Sequence, residues 1–204
     1  MADNPTIFIV DDDEAVRDSL SMLIESAGMK SQTFGSCREF LARRALPQRT
    51  CLLLDVHMPE MSGLQLLDEM AKRGIKLPVI VMTGQADVPL AVRAMKAGAV
   101  DFIEKPFTDE LMLDAIQRAL KAPAAKSPAD PAIKERLAQL SPREHEVLLH
   151  MVAGNPNKVA AYNLGISPRT VEIHRARVME KMAARSLSEL VRMALAAGVE
   201  PGSG

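Results

Sequence analysis

Short apolar runs alternate with amphipathic segments over the first 122 residues. The runs lie at 6–10, 30–34, 51–55, 78–83 and 99–104, and segments of helical periodicity separate them. This alternation is typical of βα repeats, in which crossover helices connect parallel strands. Runs 51–55 and 78–83 are the most continuously apolar, so we expect central strands covered on both faces. The pattern predicts an α/β domain with a five-stranded, doubly wound parallel sheet of order 2-1-3-4-5.

Residues that favour helix ends fall between these runs. Serine, threonine and aspartate favour the position before a helix, and glycine favours the position after it. The candidate N-terminal caps are Ser36 with Glu39, Asp87 and Thr108, and the candidate C-terminal stops are Gly28, Gly74 and Gly98. They predict compact helices between the strands.

The last part of the chain has helical periodicity throughout. Ser141, Pro142 and Glu144 combine an N-cap, a proline at the first helical position and a capping glutamate, which opens a helix to Gly154. We expect Asn157 to cap a second helix through Leu164, Ser167-Pro168 to open a third to about Ala183, and Ser186 with Glu189 to open a fourth closed by Gly198. A glycine turn at 165–167 separates the second and third helices, which predicts an all-α four-helix helix-turn-helix domain.

A proline-rich stretch separates the two halves. Residues 121–131 hold three prolines and nothing large to bury, so they cannot continue a helix. Ile133, Leu137 and Leu140 then begin a short amphipathic helix. We assign residues 1–122 to the α/β domain, 123–136 to a linker and 137–204 to the helical domain.

Composition and charge narrow the class of protein. No apolar run approaches the roughly 18 residues that a membrane span needs, and no secretory signal precedes the first strand. Two cysteines without metal-type spacing favour reduced thiols, so we expect a cytoplasmic protein with no membrane partner. Residues 1–122 carry 14 basic and 18 acidic side chains, and residues 123–204 carry 11 and 8. An acidic half before a basic half suits a metal-phosphate module followed by a nucleic-acid module.

Polar residues gather at the predicted carboxyl ends of the strands. Asp11 and Asp12 follow the first strand, Asp55 ends the third, Thr83 ends the fourth and Lys105 follows the fifth. Open α/β folds bind ligands at this edge. A carboxylate can attack phosphorus when the charge on the transferring oxygens is neutralised, so Asp55 is the candidate phosphoryl acceptor.

Magnesium is the cation that such a site favours, because it binds one or two carboxylates together with phosphate and water. We assign Asp11, Asp12 and Asp55 as carboxylate ligands and the backbone carbonyl of His57 as a further oxygen. Lys105 would place a point charge on a phosphate oxygen, and the Thr83 hydroxyl would donate to another. We expect the His57 imidazole to point to solvent and to play no part.

This set of residues resembles the receiver domain of two-component response regulators. The similarity covers residues 5 to about 121 and includes the following: Asp11-Asp12, Asp55, Met58-Pro59 with Gly63, Thr83-Gly84, Phe102 and Lys105-Pro106. The resemblance implies that a sensor histidine kinase phosphorylates Asp55 in the presence of Mg²⁺. It also implies that Thr83 and Phe102 move as switch residues, that the 87–107 surface then pairs two receivers, and that the Lys105–Pro106 peptide bond is cis.

The third helix of the second half has the two faces that DNA recognition requires. Val171, Val178 and Met182 form one apolar stripe, which should face the core. The opposite side carries Arg169, Glu172, Ile173 and Ala176, flanked by Arg175 and Arg177. Such a face suits the major groove, where arginines bind phosphate or guanine and glutamate accepts from cytosine, while Lys158 and Thr170 would hold the DNA backbone. An ordinary exposed helix of mixed charge would show a similar pattern.

Residues 137–200 look like the LuxR-type helix-turn-helix of the NarL/FixJ regulator family. The matching residues are Leu140 to Glu144, Gly154, Asn157-Lys158, Ala160-Ala161, Leu164, Ile166-Ser167, Thr170-Val171, His174 and Lys181-Met182. The resemblance implies promoter DNA and RNA polymerase as partners and a homodimer on phosphorylation. Residues 83–107 are most similar to the FixJ branch, which implies a FixL-like kinase that senses oxygen through haem, and activation of nitrogen-fixation genes.

We therefore predict a transcriptional response regulator and not an enzyme. Phosphatases of the dehalogenase type also use a strand-end aspartate, but they carry a second aspartate two residues later, where this chain has His57. Two alternatives stay open. The chain could serve a different kinase and gene set within the same family, or it could bind DNA constitutively with an inactive receiver.

Overall fold

The structure is a computed structural model that describes residues 4–43, 46–84, 88–121 and 131–199. Contacts divide the chain into two compact units. The first contains a five-stranded parallel sheet of order β2-β1-β3-β4-β5, as predicted. Its strands are β1 (Thr6–Val10), β2 (Lys30–Phe34), β3 (Thr50–Asp55), β4 (Val79–Thr83) and β5 (Asp101–Glu104).

Helices follow each strand in chain order. They are α1 (Glu14–Ser26), α2 (Cys37–Leu41), α3 (Gly63–Lys72), α4 (Val88–Lys96) and α5 (Asp109–Lys121). In the helical half they are α6 (Pro131–Ala138), α7 (Pro142–Ala153), α8 (Asn157–Leu164), α9 (Pro168–Met182) and α10 (Leu187–Ala196). No helix in the described ranges is long and apolar enough to cross a membrane.

Burial follows the position of each strand in the sheet. Every residue of β1, β3 and β4 is buried, whereas the edge strands β2 and β5 are partly exposed. One face packs Leu20 and Ile24 of α1 and Met112 and Ile116 of α5 against the sheet. The buried central strands fix the positions of their carboxyl ends, where the candidate site lies.

Most of the predicted helix ends are confirmed. Ser36 accepts from the amide of Glu39, and Thr108 accepts from the amide of Leu111. Gly28, Gly74 and Gly98 all have positive φ. Asp87 lies outside the described residues.

The prediction that Asn157 caps α8 is wrong. Pro156 occupies the cap position without a side-chain hydrogen bond, and Asn157 is the first helical residue. The side-chain nitrogen Nδ2 of Asn157 instead donates to Oε1 of Glu172 on α9 at 3.5 Å. The side chain therefore spans two helices of the turn motif rather than closing its own helix.

The second unit packs α6 to α10 around its own core. Its centre contains Val147, Leu148, Val178, Met182 and Leu190, all buried. Ile133 and Leu137 of α6 pack against the same core. The predicted linker includes residues 131–136, but these residues are helical. The domain limits themselves stay a prediction.

A half-buried ion pair joins α7 to the end of α9. The Glu144 carboxylate accepts from Lys181 Nζ at 2.6 Å and from the backbone amide of Ser141 at 2.8 Å. The hydrogen bond from Lys181, followed by that from Ser141, lowers the pKa of Glu144 to about 2 from an ordinary value of 4.5. A depressed carboxyl pKa stabilises the fold above the unfolded pKa, and this stabilisation disappears as the pH falls toward the folded value.

We expect the free energy of unfolding of this unit to decrease as the pH falls from about 4.5 to about 2. Glu144→Gln should lower it by about 2 kcal/mol at neutral pH and flatten that decrease, because the amide cannot form the charged pair. The matched control is Glu146→Gln on the same helix, whose exposed pair with Arg143 should contribute little. Urea unfolding of the full chain, followed by hydrogen exchange at the backbone amides of α7 and α9, measures this unit. Equal pH dependence in the two variants would contradict the assignment.

Candidate phosphoryl site and nucleic-acid interface

The acidic pair lies in the loop between β1 and α1, where its backbone is held from several sides. The Asp11 side chain is buried and accepts from the amide of Asp13 at 3.0 Å. Arg17 Nη1 donates to the carbonyls of Asp11 and Asp12 at 2.8 and 2.9 Å. Asp13 is exposed and caps α1 by accepting from the amide of Ala15. Arg17 is a further residue of the site that the motifs in the sequence do not indicate.

Lys105 joins the two buried carboxylates of the site. Its Nζ lies 2.6 Å from Asp11 Oδ2 and 2.7 Å from Asp55 Oδ1. Burial alone would lower the pKa of Lys105, but the hydrogen bonds to Asp11 and Asp55 outweigh it and raise that pKa. Burial also raises the pKa of Asp11, which the hydrogen bond from Lys105 opposes. The Lys105–Pro106 peptide bond is cis, as the resemblance implies.

Asp55 is buried at the end of β3, and its second oxygen accepts from the backbone amide of His57 at 2.6 Å. The loop that follows approaches the strand closely at Gly63. A Cβ atom at this position would lie 2.3 Å from the carbonyl oxygen of Asp55, so a side chain here would displace the backbone of the acceptor. This close approach is the steric reason for a glycine at the start of α3.

The prediction that the His57 ring points to solvent is confirmed only in part. The residue is exposed, but its ring Nδ1 lies 3.3 Å from the hydroxyl of Thr83, whose side chain is fully buried. The ring therefore lies along the rim of the site rather than pointing only to solvent. The backbone of the His57 loop directs it there, which the residue types alone did not indicate.

The donors present are those that Mg²⁺ prefers, since Asp11, Asp12, Asp55 and the carbonyl of His57 all offer hard oxygens. Among the residues that the structure describes, no three acidic, histidine or cysteine side chains converge closely enough to hold a metal ion. Lys105 lies between Asp11 and Asp55, and the Asp12 side chain is exposed. The set fits Mg²⁺ in chemistry, and Lys105 places a positive charge beside the two buried carboxylates.

Phe102 is the remaining predicted site residue of this unit. It is half-buried on β5, and its amide donates to the side chain of Asp101 at 2.9 Å. In register it pairs with Val81 on β4, two residues before Thr83. It therefore lies along the strand pair that ends at the site.

Helix α9 has the predicted buried and exposed faces. Val171, Val178 and Met182 are buried in the core of the second unit. Arg169, Glu172, Ile173 and Ala176 are exposed and together line a shallow surface depression. Arg177 is exposed and Arg175 is half-buried at the flanks.

The start of α9 and the adjoining helix hold the residues predicted to contact the DNA backbone. Ser167 caps α9 by accepting from the amide of Thr170, and the two hydroxyls lie 2.8 Å apart. Lys158 is exposed in the first turn of α8. A helix N-terminus with hydroxyl and ammonium groups nearby is a favourable partner for phosphate.

Comparisons with known proteins match each half of the chain to a known domain family. Residues 7–117 match the response regulator receiver domain, and residues 138–194 match the bacterial regulatory proteins of the luxR family. The transcriptional regulatory protein FixJ of Azorhizobium caulinodans is 50% identical over 98% of this chain and 97% of its own length. The C4-dicarboxylate transport regulator DctR of Rhodobacter capsulatus is 48% identical over 92% and 98%.

The solved structures lead to the same assignment. Full-length FixJ from B. japonicum aligns with a TM-score of 0.53 and 45% identity over 95% of this chain and 97% of that chain. The chain belongs to the NarL/FixJ family of two-component response regulators, in which a receiver domain precedes a LuxR-type DNA-binding domain.

Proposed function

We propose that Asp55 accepts a phosphoryl group from a sensor histidine kinase and that this controls binding of α9 to promoter DNA. The observation that carries the proposal is the buried cluster in which Lys105 contacts both Asp11 and Asp55 at the carboxyl edge of the sheet. Two buried carboxylates beside one cation are unfavourable unless the site receives more positive charge. Such a site favours a metal ion and, with it, a phosphoryl group.

Each residue of the site has a separate role in phosphoryl transfer. When bound, Mg²⁺ would neutralise charge on the phosphoryl oxygens, held by Asp11, Asp12, Asp55 and the carbonyl of His57. An oxygen of Asp55 attacks phosphorus while the bond from phosphorus to the histidine nitrogen of the donor breaks. Lys105 offers its ammonium to one phosphoryl oxygen, and the Thr83 hydroxyl donates to another.

On the output side, we infer that α9 enters the major groove. Its exposed face offers Arg169 and Glu172 for base edges, with Ile173 and Ala176 between them. Arg175, Arg177, Lys158 and Thr170 would contact phosphates around it. Two phosphorylated chains that pair through their receivers would hold two such helices at effective concentrations high enough to occupy paired half-sites.

The proposed kinase and target genes rest on the resemblance to the FixJ relatives. FixJ proteins at 48–51% identity favour a FixL-like kinase and activation of nitrogen-fixation genes through RNA polymerase. A second assignment within the same family has support of its own, because DctR is 48% identical over most of both chains. Phosphotransfer from purified candidate kinases, compared by initial rate, distinguishes the two.

Selection of DNA from a random pool tests the proposed function. The full chain is incubated with acetyl phosphate and Mg²⁺, and a parallel selection omits the phosphoryl donor. We expect the phosphorylated chain to enrich paired half-sites. Equal enrichment without the donor would favour a constitutive DNA-binding protein with an inactive receiver.

Two substitutions on the DNA-binding unit should weaken binding in different ways. Arg169→Ala should cost about 1–3 kcal/mol and relax preference at one base position, because a base contact carries sequence information. Lys158→Ala should weaken binding to all sequences alike and reduce the salt slope by about one, as expected for a phosphate contact. Fluorescence anisotropy on the selected DNA and its single-base variants, over a range of salt concentrations, measures both effects.

Lys134→Ala is the matched control, because Lys134 is exposed on α6 within the same unit. It removes one positive charge without touching the proposed interface. If it reduced affinity as much as Lys158→Ala, the effect would come from net charge and not from a defined phosphate contact.

A further inference from the structure

The contact between His57 and Thr83 has no role in the transfer described above. Asp55 pairs in register with Met82 of the neighbouring strand, and the amide of Val56 donates to the carbonyl of Met82 at 3.0 Å. The chain leaving β3 is therefore fixed beside the end of β4. This places His57 next to Thr83, and the ring Nδ1 lies 3.3 Å from the hydroxyl.

Both partners in this contact have little freedom. The amide of His57 donates to Asp55 at 2.6 Å, so the phosphoryl acceptor itself holds the His57 backbone. Thr83 is fully buried, and a β-branched side chain has few accessible rotamers. A hydrogen bond between this hydroxyl and the histidine ring therefore favours one orientation of the threonine side chain.

The chemistry of the two groups determines what this bond does. A threonine hydroxyl has a single proton, and a neutral imidazole accepts at one nitrogen and donates at the other. His57 is exposed, so water can satisfy Nε2–H while Nδ1 accepts from Thr83. In that arrangement the hydroxyl proton is committed to the ring and is not available to a phosphoryl oxygen.

We propose that His57 is a positioning residue that holds the Thr83 hydroxyl in the resting orientation and so slows phosphoryl transfer to Asp55. The inference rests on the proposed function, because it assigns a role within the same site. The bond must break before Thr83 can donate to the phosphoryl group. A single hydrogen bond of ordinary net strength corresponds to about a two- to tenfold change in the population of the competent orientation.

Rates of phosphoryl uptake from acetyl phosphate, with saturating Mg²⁺ and intact mass as the readout, test this role. His57→Phe keeps a ring but removes the acceptor, and its uptake should be about two- to tenfold faster than that of the wild type. His57→Asn keeps a polar atom near the position of Nδ1, so its uptake should be slower than that of His57→Phe. His57→Ala provides a second variant that lacks the acceptor, and all of them keep the backbone carbonyl at residue 57.

The same substitution in a Thr83→Val background isolates the contact. Without the hydroxyl, His57→Phe should leave the slower rate of Thr83→Val unchanged. A similar acceleration in both backgrounds would show that the ring acts on access of the donor and would overturn the inference. Slower uptake by His57→Phe and His57→Ala would overturn it as well, since the ring would then present the hydroxyl to the phosphoryl group.

The wild-type measurement separates this inference from the function on which it rests. If the wild type takes up phosphate and the His57 variants match it, only the positioning role is wrong. If the folded wild type takes up none, the proposed function and this inference both fail.

Discussion

Asp55→Asn should lose all measurable uptake of phosphate from acetyl phosphate, the largest effect that we expect of any single change. Asp55 is the carboxylate that the sheet buries at its carboxyl edge with one oxygen on Lys105 and the other on the amide of His57. An amide cannot serve as the nucleophile, although it has nearly the same size. Intact mass after incubation with Mg²⁺ and acetyl phosphate measures the result directly.

Asp13→Asn is the matched control for this experiment. Asp13 belongs to the same acidic run, but it is exposed and caps α1. Asparagine caps helices as well as aspartate does, so the fold should be unaffected. The control should gain one phosphate like the wild type. Phosphate on Asp55→Asn would place the acceptor elsewhere in the chain.

Lys105→Met should slow the same uptake by about 100-fold, the scale on which removal of one preorganised charge donor acts. The ammonium contacts Asp11 at 2.6 Å and Asp55 at 2.7 Å and, in the transfer that we propose, one phosphoryl oxygen as well. Without it, two buried carboxylates repel each other in the absence of metal. Higher Mg²⁺ concentrations should recover part of the rate but not all of it, because the metal occupies a different position.

The control for this loss is Lys72→Met, which removes an exposed lysine paired with Glu69 on α3. It should leave the rate unchanged within experimental error. A full rescue of Lys105→Met by Mg²⁺ would mean that the lysine serves only to offset charge in the metal-free site and makes no contact in the transfer.

The strands and helices were predictable because their signals are local. Runs of five or six residues between amphipathic segments, apolar in β1, β3 and β4, indicated the number of strands, and the structure adjusts their limits by one or two residues. The sheet order followed from the doubly wound pattern. Asn157 shows where local signals fail. Asparagine and proline are both acceptable at a helix start, and the sequence alone did not show that Pro156 takes the cap position while Asn157 turns to Glu172.

The site was predictable to the extent that strand ends determine it. Asp11, Asp55 and Lys105 meet because parallel strands in this order bring their carboxyl ends together. The direction of a loop side chain depends instead on hydrogen bonds made elsewhere. The His57 ring lies by Thr83 because its backbone is fixed by Asp55, and Arg17 reaches the carbonyls of the acidic pair from α1. Neither contact has a sequence signal of its own.

The central claim is that a phosphoryl group on Asp55 controls DNA binding by the second half of the chain. The affinity of the full chain for its selected DNA, measured with and without acetyl phosphate at one fixed salt concentration, tests it most directly. We predict an increase of about tenfold or more for the wild type and none for Asp55→Asn, since pairing of receivers adds the second half-site. Equal affinity in both conditions, with phosphate shown to be bound to the wild type, would contradict the account.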